Sequence, residues 1–442
     1  MALFPQDALA EGVRKREVFG WAMYDFANSG YTTVVLTAVF NSYFVGVVAQ
    51  GADWATLAWT TVVAASSLVV MLTMPALGAH ADLHARKKRL LAMTTTVCVI
   101  ATAALAGVGR GDLWLAAAAM IVSNVCYSYG ESLTAAFLPE LAKPSAMGRV
   151  SGWGWSFGYF GGMLSLGLCL AYVLHAQAQG QAATQFVPVT MLITAAVYGA
   201  ASLATFALLR ERATPQAPRD AGGGGVGEAL RRLAATGRRA RAYRDFCWLL
   251  ACSTCYQAGI AVVIALAAVY AEQVLGFKQA QTMMLVFLVN IAAALGAFAF
   301  GYWQDRIGHR RALGVTLGGW VVMTLLAAAA TGPGLFWVAA VIAGLCMGSS
   351  QSAGRALAGL FAPAAQRAEF FGLWTFATRL AAIAGPITYG LVTWLSGGNH
   401  RLAILSTAAF FAVGWWLLRH VDVARGEAAA REPTVTPAVA SR

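Results

Sequence analysis

Uninterrupted apolar runs of about 20 residues recur from one end of this 442-residue chain to the other. A helix of that length crosses the hydrocarbon core of a membrane, which is about 30 Å thick. Hydrophobic residues make up 59% of the chain and charged residues only 11%, whereas soluble proteins are about one-quarter charged. The chain is therefore predicted to be an all-α integral membrane protein.

The apolar runs predict twelve transmembrane helices in two groups of six. The predicted spans are residues 19–48, 54–78, 90–108, 113–138, 148–174, 187–209, 246–274, 279–303, 312–331, 333–361, 368–395 and 400–420. The first six lie in an N-terminal half, 1–209, and the last six in a C-terminal half, 246–422. A polar, basic stretch at 210–245, with four consecutive glycines from Gly222, is predicted to be a linker. The polar tail at 423–442 is predicted to be disordered.

A short charged motif follows the second apolar run of each half. The first copy contains Gly78, Asp82 and Arg86, spaced so that they would share one helix face. The second copy contains Gly301, Asp305, Arg306 and Arg310. A duplicated motif indicates two similar halves, which is the plan of many secondary transporters. Positive charge in loops accounts for the arginines, but not for the two aspartates.

The basic residues predict the orientation. Of 31 lysines and arginines, 27 fall on one side of the predicted helices, three on the other, and Arg379 lies within a span. This asymmetry places both termini and the linker in the cytoplasm. It also accounts for the net charge of +12 without a nucleic-acid partner. The sequence offers no nucleophile–base set, metal site, cofactor motif or ATP-binding loop, so an enzyme is not predicted.

Twelve spans with this duplicated motif resemble the major facilitator superfamily. A closer resemblance, to the autophagy-related vacuolar amino-acid effluxer family and its bacterial relatives, is carried by segments 21–31, 148–162 and 368–372. The resemblance implies two pseudo-symmetric six-helix bundles and solute export, with amino acids as the substrate class of the fungal members. It also implies a conformational gate in which Gly78, Asp82, Arg86, Asp305, Arg306 and Arg310 hold the cytoplasmic ends of the halves together.

Four charged residues lie within predicted spans, where each costs about 2.5–3.5 kcal/mol at the bilayer centre unless it is paired. They are Asp25, Glu131, Arg355 and Arg379. Glu131 and Arg355 stand at equivalent places in the two halves, 224 residues apart, as do Pro139 and Pro363. Arg379 is expected near the midplane, neutralised by Asp25, by Glu131 or by a substrate carboxylate.

Each of these charges has a functional and a structural interpretation. Glu131 and Asp25 are candidate proton carriers, but Glu131 could form a static ion pair and Asp25 could lie at the interface. Arg379, Arg355, Asp25 and Asn28 are candidate substrate ligands. Arg355 could instead extend to the cytoplasm, or pair with Glu131. Asn28 could instead join helices by hydrogen bonds.

The sequence thus predicts a monomeric secondary transporter in a cell inner membrane. Its predicted partners are a small polar metabolite, protons and the lipid bilayer, and its predicted activity is proton-coupled export of amino acids by alternating access. Two alternatives stay open. One is a membrane sensor or scaffold on the same fold, acting through the linker, and the other is a transporter of lipids or peptides.

Overall fold

The computed structural model describes residues 4–214 and 243–431, and it confirms the twelve-helix fold predicted from the apolar runs. The first six spanning helices are α1 (Lys15–Tyr31, continuing as distorted helix to Val48), α2 (Ala55–His84), α3 (Lys87–Ala104), α4 (Leu113–Ala135), α5 (Met147–Ala178) and α6 (Ala183–Leu208). The second six are α7 (Arg244–Leu275), α8 (Gln279–Ile307), α9 (His309–Ala329), α10 (Pro333–Phe361), α11 (Arg367–Leu395) and α12 (His400–Leu418).

The two groups of six helices meet along a long interface. Helix α2 packs against α11, and α5 packs against both α8 and α10. Helix α4 also reaches α11. Because successive helices alternate in direction, the start of α1, the α2–α3 turn and the end of α12 lie on one face of the bundle. We call it the basic face, since the loops on this side carry most of the arginines and lysines.

The first spanning helix is irregular beyond Tyr31. It becomes a π-helix at Thr32–Ala38 and again at Phe44–Val48, with a short α-helical turn between them. Hydroxyl groups of Ser29, Thr32 and Thr33 donate to backbone carbonyls three or four residues earlier in this helix, a pattern that bends helices. Such π-helical segments often lie near functional sites.

The tail that the sequence predicted to be disordered begins instead with a helix, α13 (Val423–Arg431). Asp245 at the start of α7 accepts two bonds of 2.7 Å from Arg425 and one of 2.8 Å from the Asp422 amide. Gly426 packs against the ring of Phe361 at the end of α10. The prediction was wrong for 423–431 because these partners lie far away in the sequence. Residues 432–442 and most of the predicted linker, with its glycine run, lie outside the described residues.

Candidate functional site

The carboxylate of Glu131 on α4 and the guanidinium of Arg379 on α11 form an ion pair between the two halves. The Arg379 Nη2 atom lies 2.9 Å from Oε2 of Glu131. The Glu131 side chain is 38% exposed, whereas that of Arg379 is 16% exposed. The ring of Tyr127, one helical turn before Glu131, lies 5.9 Å from the guanidinium. The Nε atom of Arg379 is buried without a hydrogen-bond partner among the described residues, so the guanidinium retains an unused donor.

A second ion pair joins Asp25 on α1 to Arg355 on α10. Nη1 of Arg355 donates to Oδ2 of Asp25 at 2.7 Å, and both side chains are almost fully buried. Ser151 on α5 accepts the other donors, with its hydroxyl 3.2 Å from Nε and its carbonyl 2.8 Å from Nη2. The guanidinium also lies 4.8 Å from the ring of Trp21 and 5.2 Å from that of Trp155. All of its donor groups therefore have partners in this conformation.

Arg355 therefore does not extend to the basic face, as one interpretation of the sequence suggested. Its side chain is 7% exposed and ends among Trp21, Trp155 and Asp25. Nor does it pair with Glu131, its counterpart in the other half. Of the two carboxylates in the chain that the sequence offered as partners for Arg379, the structure pairs it with Glu131 and not with Asp25.

The pseudo-symmetry between the halves explains the arrangement. The offset of 224 residues that relates Glu131 to Arg355 also relates Trp155 to Arg379. Glu131 contacts Arg379, and its counterpart Arg355 contacts Trp155, the counterpart of Arg379. At the first site, Glu131 pairs with Arg379, an acid with an arginine. At the equivalent place in the other half, Arg355 lies beside the aromatic ring of Trp155. Asp25 supplies the carboxylate that the second site would otherwise lack.

Several contributors to the site were not singled out in the sequence. Trp21, Tyr127, Ser151 and Trp155 frame the two arginines. Trp155 could have been found from the offset, whereas Ser151 carries no sequence signal that separates it from other helix serines. Asn28, a predicted substrate ligand, is buried one turn after Asp25 on α1, and its role stays a prediction.

The two motif aspartates bind the starts of helices in the opposite half. Asp82, at the end of α2, accepts the backbone N–H of Glu369 in the first turn of α11 at 3.0 Å. Asp305, at the end of α8, accepts the N–H groups of Gly148 and Arg149 in the first turn of α5 at 2.8 and 3.1 Å. A carboxylate there bonds free amides and meets the positive end of the helix dipole.

Close backbone contact accompanies each of these bonds. A Cβ atom at Gly78 would overlap the carbonyl of Ala368, and one at Gly301 would lie 2.8 Å from the carbonyl oxygen of Gly148. Only residues without a side chain allow α2 and α8 to approach the opposite half this closely. The structure is therefore closed on the basic face.

Not every predicted gate residue takes part in these contacts. Arg86 does not share the helix face of Gly78 and Asp82, because Ala85 has a φ of 50° and ends α2 before it. That part of the prediction was wrong. In the described part of the chain, Arg86 and Arg306 are exposed, and their side chains form neither a hydrogen bond nor an ion pair. Arg310 donates to the carbonyl of Arg419 at the end of α12 at 2.9 Å.

An N-terminal segment, residues 4–13, covers the α5–α8 contact. The Arg149 guanidinium binds Asp305 of α8 at 3.0 Å and Asp7 of this segment at 3.2 Å. The buried ring of Phe4 lies 5.2 Å from Trp153, whose indole N–H donates to the Tyr302 hydroxyl on α8 at 3.3 Å. The segment thus contacts residues on α5 that themselves bind the second half.

Two six-helix bundles that meet around paired charges, with a duplicated loop motif, are the architecture of the major facilitator transporters. The fold matches solved structures of this class. The human organic anion transporter MFSD10 superposes with a TM-score of 0.72 at 16% identity, covering 91% of this chain and 99% of that one. A single-residue variant of the E. coli fucose:proton symporter FucP superposes with a TM-score of 0.69 at 16% identity, covering 92% and 98%.

Within this class the chain belongs to the family described as "Vacuole effluxer Atg22 like", which matches residues 43–431. This confirms the resemblance carried by the sequence segments. An uncharacterized MFS-type transporter of Bacillus subtilis (strain 168), YxiO, is 26% identical over 411 residues, covering 91% of this chain and 94% of that protein. The chain is therefore a secondary transporter, an integral membrane protein.

Proposed function

We propose that this transporter exports small zwitterionic metabolites, amino acids in particular, and that proton binding at Glu131 is coupled to their movement. The Glu131–Arg379 ion pair is the observation that supports this proposal. It joins opposite halves, yet more than a third of the Glu131 side chain is exposed. It is therefore the inter-half pair that a proton or a substrate reaches most easily. The word effluxer in the family description favours outward movement.

A zwitterion suits the pair because it can replace both partners at once. A substrate carboxylate can take two parallel hydrogen bonds from Arg379, including the Nε donor that lacks a partner. The substrate ammonium group can take the place of Arg379 beside Glu131. A net anion or cation would leave one of the two charges unpaired, which is costly in a partly buried site.

A proton can weaken the same ion pair by binding to Glu131. Protonated Glu131 is neutral and no longer attracts Arg379 as a charge. Opening of the basic face must separate α4 from α11, because these helices belong to opposite halves. Either protonation of Glu131 or substrate binding to Arg379 thus lowers the cost of that separation, and competition between the two links their movements.

The bilayer that suits this proposal is a cell inner membrane with the basic face in the cytoplasm. The supporting observation is the distribution of basic residues between the two faces. A monomer suffices for the proposed cycle, because both paired charges come from one chain.

The experiment uses purified protein in liposomes that contain a pH-sensitive dye, challenged with pools of amino acids and other small metabolites. We expect a pool-dependent proton flux that Glu131→Gln abolishes, and an Arg379→Ala variant that inserts normally but does not transport. Glu427→Gln, in the exposed pair with Arg431 on α13, is the matched control and should transport normally.

Unchanged transport by Arg379→Ala would refute the proposal that this arginine binds the substrate carboxylate. Substrate uptake without proton movement would instead favour uniport. If folded protein shows no flux with any pool, the result would favour the alternative functions, a membrane scaffold or a transporter of lipids or peptides.

A further inference from the structure

A cavity of about 410 Å³ opens beside the start of α3, next to the end of α6 and away from the central charges. Its lining combines charged residues with apolar ones. The lining residues are Ala85, Arg86, Lys88, Arg89, Ala92, Phe206 and Glu211. Three cations against one carboxylate give the cavity a net positive charge.

One of the three basic side chains has a structural partner already. Nζ of Lys88 donates to the carbonyl of Leu209 just beyond α6 at 2.5 Å, and the Lys88 amide donates to Glu211 at 2.7 Å. The second half repeats this bond, since Arg310 at the start of α9 binds the carbonyl of Arg419 at the end of α12. Lys88 therefore holds the end of α6, and the other two cations of the cavity stay available.

Arg86 and Arg89 are those two cations. Both are exposed, and neither side chain forms a hydrogen bond or ion pair within residues 4–214 and 243–431. Arg86 is the N-cap residue of α3 and Arg89 lies in its first turn three residues later, and both line the cavity. Two guanidinium groups at one cavity supply two sets of forked donors, which suit the oxygens of a phosphate.

An apolar stripe continues from this basic pair along α3. Met93, Val97 and Ile100 are 56%, 42% and 63% exposed, and their spacing places them on one side of the helix, in line with Arg89. On α6, Leu203 is 68% exposed one turn before Phe206. In a spanning helix such side chains contact lipid, so acyl chains lie directly beside the cavity.

We propose that this cavity binds the headgroup of an anionic phospholipid, with Arg86 and Arg89 holding the phosphate and the acyl chains lying along the Met93–Ile100 stripe. Basic pockets between transmembrane helices at a membrane face suit this ligand. A zwitterionic lipid adds a cation beside the two arginines and binds less well. Burial raises the pKa of the Glu211 carboxyl, so a proton there reduces its repulsion of the phosphate.

The test measures lipid binding to delipidated protein by native mass spectrometry, with phosphatidylglycerol and phosphatidylcholine as the probes. Each arginine near a membrane surface contributes about a fivefold gain in affinity. We therefore expect Arg86→Gln/Arg89→Gln to weaken phosphatidylglycerol binding on the order of 25-fold and to weaken phosphatidylcholine binding much less, because the choline cation offsets the attraction of the arginines. Arg311→Gln, an exposed arginine at the start of α9 on the same face, is the matched control and should change neither.

Two further arms keep the proposal open to refutation. Arg89→Lys keeps the charge but loses the forked donor, so it should fold normally and bind phosphatidylglycerol with intermediate affinity. Inorganic phosphate at millimolar concentration should not displace the lipid, because it lacks the acyl chains. Equal phosphatidylglycerol binding by wild type and the double variant, or equal binding of the two lipids, would overturn the proposal. Displacement by phosphate would reassign the cavity to a soluble anion.

Discussion

Replacing Asp25 by asparagine should destabilise the conformation that is closed on the basic face. The substitution leaves Arg355 buried at 7% exposure and without its counter-charge. Removing one partner of a buried ion pair costs about 3–5 kcal/mol. Arg355 keeps the hydroxyl and carbonyl of Ser151 and two aromatic faces, so the lower end applies. A cost of about 3 kcal/mol lowers the ratio of closed to open molecules about 150-fold.

The ratio can be measured as a distance distribution between two spin labels on the basic face. Ser145 and Ala364 are exposed and lie in the loops before α5 and α11, in opposite halves. Cysteines at these positions, in a protein whose seven native cysteines are replaced, carry the labels. We expect a single short distance in the parent protein and a mainly longer one in Asp25→Asn.

A double-mutant cycle separates the pair from the individual side chains. Asp25→Asn/Arg355→Gln removes both charges, so no unpaired charge stays buried, and the closed state should return to within about 1 kcal/mol of the parent. Glu427→Gln on α13 should leave the distances unchanged, because exposed pairs contribute little. If Asp25→Asn keeps the parent distances, or if the two single effects simply add, the ion pair does not hold the closed state.

Two further predictions concern the contacts around the gate. Gly152→Val should insert normally but stop transport, because its side chain would overlap the carbonyl of Ala297 and separate α5 from α8. Flux into liposomes measures this, and normal transport would refute the need for close packing of α5 against α8. Phe4→Ala should lower the melting temperature of the purified protein, because its ring is 4% exposed, with a loss of about 3 kcal/mol. Asp7→Asn should leave it unchanged, because its ion pair with Arg149 is exposed.

The fold and the central charges could be predicted from sequence for one physical reason. An apolar run of sufficient length forms a spanning helix whatever its neighbours do. A charge inside such a run is costly, so Asp25, Glu131, Arg355 and Arg379 could be identified individually. Their pairing could not be predicted, because it depends on how helices rotate against one another. The paired residues are 330 and 248 positions apart in sequence.

The error at Arg86 comes from the backbone conformation of a single residue. The spacing of Gly78, Asp82 and Arg86 suits a continuous helix, but Ala85 adopts the left-handed conformation, which ordinary residues avoid. Gly308 occupies the matching place between α8 and α9 with a φ of 92°. A glycine at this position indicates a turn in the sequence, whereas an alanine does not. The α8–α9 turn could therefore be predicted from Gly308, but the α2–α3 turn at Ala85 could not.

The contacts of the motif aspartates and the central ion pairs have different roles in the proposed transport cycle. Asp82 and Asp305 bind backbone N–H groups at helix starts, and these donors neither titrate nor exchange with a substrate. Asp305 also binds the Arg149 guanidinium. The central pairs instead join an acid to an arginine, so a proton or a substrate carboxylate can replace one partner. We therefore expect the signal that opens the basic face to arise at the central pairs, where the proposed substrate and proton both act. The gate contacts add a cost that opening must overcome, so they resist opening until a central pair has separated.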